Sequence, residues 1–297
     1  MADREWTAKS RGNRLGYRIF LFFLKHFGLG FAYANLTYVV PHFMLFAPTQ
    51  TKALWFYYRT IWGKSRLQTI GCIYKHFFRF GQCLIDKAAI QCGLKDRFTF
   101  QFENYDNFLR LLDSGRGAII IGAHVGAWQM GGTFFGDYAK KMHIVMVDEE
   151  YEFVKQYMEE SDKTYSIIPV NKTDEIETAL RIKRALNAGE TVCLQGDRYM
   201  NRERVLTAQF LGYDANFPEG PFRLAAKLRV PVAFYFATRQ NRGYKFAFTT
   251  VDTQVDGAKI TEKQLLAQYI AALENVVKTA PQQWFNLYQF WNVFSEK

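Results

Sequence analysis

The sequence predicts an α/β fold in which a mainly parallel sheet is covered by helices on both faces and follows an apolar helical segment. Short apolar runs alternate with amphipathic stretches from residue 97 onwards, which is typical of strands connected by helices. Aromatic residues make up 17% of the chain and are concentrated before residue 100. No Pro/Gly/Ser-rich linker divides the 297 residues. We therefore expect a helical N-terminal region over residues 1–95 and an α/β domain over residues 96–297, forming one structural unit.

The N-terminal region begins with a basic stretch that is followed by an apolar one. Between residues 19 and 48 the only charged side chain is Lys25. The uncharged run 27–50 is long enough to cross a bilayer, although Pro41 weakens it as a helix. Basic residues beside an aromatic-rich segment favour a membrane anchor, either a single span or a helix in the interface, with the N-terminus cytoplasmic. An unusually apolar pair of core helices is the alternative.

Residues 51–93 continue the helical pattern with aromatic residues interleaved with lysine and arginine. This pattern suits an interfacial helix and equally suits packing against the main domain. The net charge of +10 implies an acidic partner: anionic lipid, an acidic carrier protein or nucleic acid. Nucleic acid ranks last because the sequence has no zinc-finger, RNP-like or basic-zipper pattern.

The α/β part alternates between the periodicities of strands and helices. Asp174 and Glu177 resemble a capping box that opens a helix ending at Gly189. We expect strand 244–251 to form an antiparallel edge of the sheet. In chain order, the predicted elements are strand 98–102, helix 104–112, strand 118–121, a helix from residue 127, strand 143–147, helix 151–161, strand 166–170, a helix to residue 188, and strands 191–195, 231–237 and 244–251.

His124 follows the apolar run 118–121 and stands among small residues. The pattern predicts a buried strand that delivers His124 to the start of a helix. The positive potential of a helix N-terminus would hold the imidazole near its neutral form, which suits a general base. We therefore interpret His124 as the first catalytic candidate, with a packed or surface histidine as the alternative.

Asp197 and Arg198 follow the predicted strand 191–195 in the same way. In parallel α/β sheets the carboxyl ends of the strands carry the site, so these side chains are expected beside His124. A surface Asp–Arg pair is the alternative.

The four cysteines show no CxxC spacing and no His/Cys cluster, which predicts reduced structural thiols in a cytoplasmic environment and no metal site. Cys193 as an acyl-forming nucleophile would need a base that the sequence does not identify.

Several motifs carry a family resemblance in the right order along the chain. The run from His124 to Gln129 resembles the His-x-x-x-x-Asp/Glu box of the lipid A biosynthesis (late lauroyl/myristoyl) acyltransferase family, within the lysophospholipid-acyltransferase-like superfamily. Later segments that resemble the same family are Phe-Leu-Gly at 210–212, Phe-Pro-Glu-Gly-Pro at 217–221, Val-Pro-Val at 230–232 and Pro-Gln-Gln-Trp at 281–284. Two departures are Gln129 in place of the acid, and Asp-Glu-Glu at 148–150 where an arginine is expected. These departures argue against lipid A itself as the acceptor.

The resemblance implies transfer of a fatty acyl group from a thioester of acyl carrier protein or CoA to a hydroxyl or amine of a lipid-like acceptor. It implies no cofactor or metal, and a site on the cytoplasmic side of the inner membrane. His124 would be the general base, and Arg198 or backbone N–H groups near Gly126 would stabilise the oxyanion. Asp197, with Asp148 or Glu149 next, would compensate for Gln129. The implied substrate-binding residues are Gly126, Trp128, Gly220, Pro221 and Arg223.

Two alternatives remain. The neutral Gln129 is what a catalytically retired, membrane-bound binding module for acyl lipids or carrier protein would carry. The second alternative is a soluble thioesterase, although the sequence has no Gly-x-Ser-x-Gly elbow.

Overall fold

The structure is a computed structural model that describes residues 14–135, 138, 141–147, 166–170, 175–199, 204–255 and 258–292. The predicted helix 151–161, the capping residue Asp174 and the candidate acids Asp148 and Glu149 lie outside the described residues.

The strands of the described residues are β1 (Thr99–Glu103), β2 (Ala118–Gly126), β3 (Met142–Val147), β4 (Ser166–Val170), β5 (Thr191–Gln195), β6 (Val205–Phe210), β7 (Tyr213–Pro218), β8 (Val232–Gln240), β9 (Gly243–Val251), β10 (Gln254–Val255) and β11 (Ala258–Lys259). Seven of them form the main sheet in the order β1-β9-β8-β2-β5-β3-β4, and β6–β7 and β10–β11 form two hairpins. All neighbouring pairs of the main sheet are parallel except β8–β9. The predicted α/β fold with a mainly parallel sheet is therefore confirmed.

Strand β9 is antiparallel to β8, as expected, but it is not the edge of the sheet. Strand β1 pairs with β9 in parallel and occupies that edge. Aromatic side chains of the two strands hold them together, and the rings of Phe102 and Phe246 stack with centroids 5.2 Å apart. The prediction of an edge position was wrong because both strands have the same alternating pattern, and this pattern does not specify their order.

The central strand β2 is buried along its whole length. Its consecutive residues Ile121 and Gly122 point to opposite faces of the sheet. The Ile121 face is covered by Tyr269 on a C-terminal helix, since a Cβ at Gly196 would meet both Ile121 and Tyr269. The Gly122 face carries Tyr235 and the aromatic cluster around Phe135. Helices therefore flank a continuous core. The helices are α1 (Arg14–Phe46), α2 (Pro48–Phe56), α3 (Arg66–Gln91), α4 (Tyr105–Asp113), α5 (Glu175–Asn187), α6 (Glu219–Leu228) and α7 (Glu262–Thr279).

The N-terminal helices do not form one continuous rod. Helix α1 is kinked at Gly28, whose φ is +75°, and its segment Phe22–Phe46 is long and apolar enough to cross a membrane. The predicted helix over residues 51–93 is present, but it is interrupted between a π-helical turn (Tyr57–Ile61) and α3. Helix α3 restarts at a capping box in which the side chains of Ser65 and Gln68 bind each other's backbone N–H groups.

Candidate active site

His124 and Asp197 are in direct contact at the carboxyl ends of two neighbouring strands. His124 lies on β2, and Asp197 follows β5, which pairs with β2 in parallel. The Nδ1 atom of His124 is 2.8 Å from Oδ1 of Asp197. Only 7% of His124 and 2% of Asp197 are exposed. The two side chains form a buried imidazole–carboxylate pair.

Three more hydrogen bonds fix the orientation of Asp197. The backbone N–H of His124 donates to Oδ2 at 2.8 Å, and the indole N–H of Trp284 donates to the same oxygen at 3.1 Å. The hydroxyl of Tyr288 donates to the backbone carbonyl of Asp197 at 2.9 Å. These contacts leave Oδ1 directed at the imidazole.

The surroundings of Asp197 keep its carboxylate ionised. Burial alone would raise the pKa of this carboxyl, but the charge and hydrogen bonds of His124 and the charge of Arg198 hold the pKa below its usual value. An ionised carboxylate only accepts hydrogen bonds, so Nδ1 of His124 carries the proton and Nε2 carries the lone pair. This tautomer is the one that a general base requires, and the carboxylate would stabilise the imidazolium that forms.

The local structure around His124 differs from the sequence prediction. Strand β2 continues through His124 to Gly126, and the helix expected from Ala127 is a 3₁₀ helix, Trp128–Thr133. His124 therefore lies within the strand, and the described residues that follow it, Trp128–Thr133, form a 3₁₀ helix and not an α-helix. The register between β2 and β8 shifts between Gly122 and Gly126, and the strand extends further than the apolar run. The charge that controls this imidazole is the Asp197 carboxylate.

Gly126 occupies a position that accepts only glycine. Its φ is +52°, and a Cβ at this position would lie 2.1 Å from the carbonyl oxygen of Ala237 on β8. The next residue, Ala127, donates its N–H to that same oxygen at 2.8 Å. The close approach of β2 to β8 thus explains Gly126 structurally, whatever its part in substrate binding.

Trp128 covers the imidazole. Its ring centroid lies 4.9 Å from that of His124 and 6.1 Å from that of Phe285. The backbone N–H of Phe285 donates to the carbonyl of His124 at 2.7 Å, which brings the C-terminal segment onto β2. Trp128 is half-buried, so it separates the imidazole from solvent on one side.

Gln129 is exposed, and its contact is with Lys87. Its Oε1 accepts a hydrogen bond from Lys87 Nζ at 2.6 Å, whereas Asp197 is the partner of His124 Nδ1. Lys87 belongs to α3 and is half-buried, and burial lowers the pKa of its ammonium group to about 8. A groove between α3 and the segment after His124 is lined by Phe80, Cys83, Leu84, Lys87 and residues 126–130.

Arg198 contacts the C-terminal segment. A guanidinium Nη atom donates to the carbonyl of Phe285 at 3.1 Å, and its charge lowers the pKa of Asp197. This contact connects the end of β5 with the C-terminal segment that carries Trp284.

The remaining predicted residues lie at the start of α6. Gly220 and Arg223 are exposed, and Arg223 pairs with Glu219 of its own helix at 3.0 Å. Between them, Phe222 packs on Tyr269, whose hydroxyl donates to the carbonyl of Gly122 at 2.9 Å. The helix thus supports β2 through Phe222, while substrate binding by Gly220, Pro221 and Arg223 stays a prediction.

Cys193 lies on β5, and burial raises the pKa of its thiol to about 12. A thiol with that pKa is protonated at neutral pH and is a poor nucleophile.

Trp284, Tyr288 and Lys87 were not assigned a site role from the sequence. Trp284 lies in the Pro-Gln-Gln-Trp segment that carried the resemblance, so the motif was visible but its contact with Asp197 was not. Lys87 had no signal beyond being one of several basic residues among aromatics.

A family model described as bacterial lipid A biosynthesis acyltransferase matches residues 71–292. This range begins within α3 and includes both His124 and Asp197. A search of curated proteins gave no match. Since the family model covers well over half of the 297 residues, the chain belongs to the bacterial lipid A biosynthesis acyltransferase family and is an acyltransferase.

Proposed function

We propose that the protein transfers a fatty acyl group from a thioester, with acyl carrier protein ahead of CoA as donor, to a hydroxyl or amine of a lipid-like acceptor. The observation that carries this proposal is the 2.8 Å contact between His124 and the ionised Asp197. The net charge of +10 supports an acidic carrier and an anionic membrane.

In the proposed reaction, Nε2 of His124 takes the proton from the acceptor as its oxygen or nitrogen attacks the thioester carbonyl carbon. The new C–O or C–N bond forms, and negative charge develops on the carbonyl oxygen. Arg198 or backbone N–H groups near Gly126 would stabilise that oxyanion. When the tetrahedral intermediate collapses, the C–S bond breaks and the imidazolium returns the proton to the leaving thiolate. Asp197 remains ionised throughout and stabilises the imidazolium.

The protonation state of Cys193 argues against an acyl-enzyme mechanism at this site. The half-buried thiol of Cys193 has a pKa raised to about 12, whereas the imidazole is paired with a carboxylate. Direct transfer with a general base therefore fits the described residues better than a cysteine nucleophile.

We place the protein at the inner membrane with the site on the cytoplasmic side. One apolar N-terminal segment and the positive net charge support this placement. The cytoplasmic side is also where an acyl carrier protein donor would be met.

The test is incubation of the full-length protein with a cell lipid extract and with acyl carrier protein whose acyl group is radiolabelled. A labelled lipid supports the proposal, labelled free fatty acid indicates a hydrolase, and neither product indicates a binding module. A His124→Ala variant in parallel identifies any product that does not depend on this site. Mass spectrometry of the labelled lipid then identifies the acceptor and the acyl chain.

A further inference from the structure

Helix α1 is attached to the catalytic domain along one stripe of its surface. After the kink at Gly28, Ala32, Leu36 and Val40 recur every four residues on one helix face, and each is at most 9% exposed. Before the kink, Leu24 is buried as well. Leu36 packs so closely on α3 that a Cβ at Gly81 would lie 2.7 Å from its Cδ2. The stripe extends over most of the segment that is long enough to cross a membrane.

The middle of this segment contacts buried charged side chains of α3 and β8. The hydroxyl of Tyr33 donates to the carboxylate of Asp86 on α3, which is fully buried. Asp86 also forms an ion pair with Arg239 of β8, with Nε and Oδ2 2.9 Å apart. Since Leu36 meets Gly81 and Tyr33 meets Asp86, α1 and α3 run antiparallel side by side.

A membrane-crossing orientation of α1 conflicts with these contacts. A spanning helix places its middle in the hydrocarbon core, where charged side chains and unpaired strand backbone are costly. Here the middle of the helix touches Asp86 and Arg239, and the neighbouring turns of α3 carry Lys75, which is exposed, and Arg79. The helix would have to leave the domain before it could cross a bilayer.

The opposite face of α1 is apolar and exposed. Phe31, Tyr38 and Leu45 recur every two turns on the side away from Leu36, and they are 42%, 81% and 75% exposed. A helix that packs on a domain along one side normally carries polar residues on the other. Further exposed apolar residues of the same helix are Phe22, Phe23, Phe27, Val39, Phe43 and Phe46.

We infer that α1 lies in the plane of an anionic bilayer surface, with Phe31, Tyr38 and Leu45 directed into the headgroup–acyl boundary, and that it does not span the membrane. This inference rests on the membrane association proposed above and gives that association its geometry. An aromatic face on a chain with a net charge of +10 matches the chemistry of such a surface.

The same geometry brings the membrane close to the groove beside His124. Phe80 and Leu84 of the groove flank Gly81, the residue on which α1 crosses α3. Leu84 is 47% exposed. Phe80 and Leu84 therefore extend the apolar surface from the interface towards the residues that follow His124.

Depth measurements distinguish the two orientations. A nitroxide amino acid is incorporated singly at position 31, 38 or 45 of the full-length protein, bound to vesicles of phosphatidylcholine with about a third phosphatidylglycerol. In-plane binding predicts similar depths at all three positions, about 5–10 Å below the headgroups. A spanning helix places positions 31 and 38 near the bilayer centre and position 45 near its surface, and that profile would overturn the inference.

A matched pair of variants tests the face itself. Tyr38→Glu puts an acid on the exposed apolar face, and Thr37→Glu puts the same acid on the adjacent flank of the helix, also exposed. We expect Tyr38→Glu to lower the vesicle-bound fraction about tenfold and Thr37→Glu to change it less than about threefold. Equal losses in both variants, or no vesicle binding by the wild-type protein, would refute the inference.

Acyl transfer in detergent solution is measured on the same samples. Full activity of Tyr38→Glu in detergent separates a loss of membrane docking from a failure of the proposed reaction.

Discussion

The Asp197→Asn substitution tests the proposed mechanism most sharply, because the hydrogen bonds of Asp197 predict the state of the variant. Oδ2 accepts from two N–H groups, those of the His124 backbone and the Trp284 indole. The amide oxygen of asparagine must take this place, since an NH₂ group cannot accept. The NH₂ group then faces Nδ1 of His124 and donates to it. That contact forces the proton onto Nε2, so the ring can no longer act as a base from that atom.

The expected loss is therefore large. An orienting aspartate replaced by asparagine in a serine protease lowers turnover about 10⁴-fold through the same change of tautomer. We expect a similar factor here, or roughly 5.5 kcal/mol in transition-state free energy at 1.36 kcal/mol for each tenfold. The fold should persist because both N–H donors to Oδ2 keep an acceptor.

The assay measures kcat/KM for transfer of a labelled acyl group from acyl carrier protein, and the thermal unfolding of each variant is measured in parallel. A matched control is Glu190→Gln, which alters another histidine–carboxylate contact, that of His143 Nε2 with Glu190 Oε2 at 2.6 Å. This control should retain near wild-type activity. The double variant His124→Ala/Asp197→Asn should be no slower than His124→Ala alone, because the two residues act as a unit. An Asp197→Asn rate within about tenfold of wild type would contradict the proposed role of Asp197 in orienting the imidazole.

The same substitution has a consequence for acid stability. Because the pKa of Asp197 is lower in the folded protein than its ordinary value, its ionisation contributes stability that is complete above the unfolded-chain pKa. That contribution is lost as the pH falls through the folded-state pKa, in a window below about pH 4. The stability difference between wild type and Asp197→Asn should therefore shrink in that window. A difference that stays constant from pH 7 to pH 3 would contradict the assignment.

Three further predictions address neighbouring residues. His124→Ala should lower kcat about 10⁴-fold, the upper end of what a general base contributes and no less than Asp197→Asn, with an unchanged circular dichroism spectrum. A loss of only a few-fold would remove His124 from the mechanism. Gly126→Ala should lower the free energy of unfolding by more than about 2 kcal/mol because Gly126 has a positive φ and a Cβ there would clash with β8. The control Gly220→Ala should change the free energy of unfolding little, since a Cβ there meets nothing within 4 Å. Equal melting curves for the two variants would contradict this prediction. Gln129→Glu should keep or raise kcat/KM, because the new carboxylate pairs with Lys87 and His124 keeps its contact with Asp197. A hundredfold loss would show that Gln129 itself is required.

The sequence predicted the strands of the sheet and the two residues at its carboxyl end. His124 and Asp197 each follow an apolar run, and in a parallel sheet the ends of such runs meet at one edge. The family resemblance was also recoverable, because its motifs occur in order along the chain and the matched range contains them. An apolar run with a polar residue after it is a local pattern, and the order of the motifs is also read directly from the chain. Both can therefore be recognised in a single sequence.

The contacts around Asp197 and the order of the strands depended on the tertiary structure. Trp284 and Tyr288 come from a segment far along the chain, and the pairing of Gln129 with Lys87 joins two elements that are separate in sequence. The edge position of β1 and the packing of α1 on α3 were equally hidden. Periodicity tells which face of an element is apolar, but it does not tell which other element will cover that face. That choice is made by the packing of the whole chain, where each buried polar group must find a partner and each apolar face a neighbour.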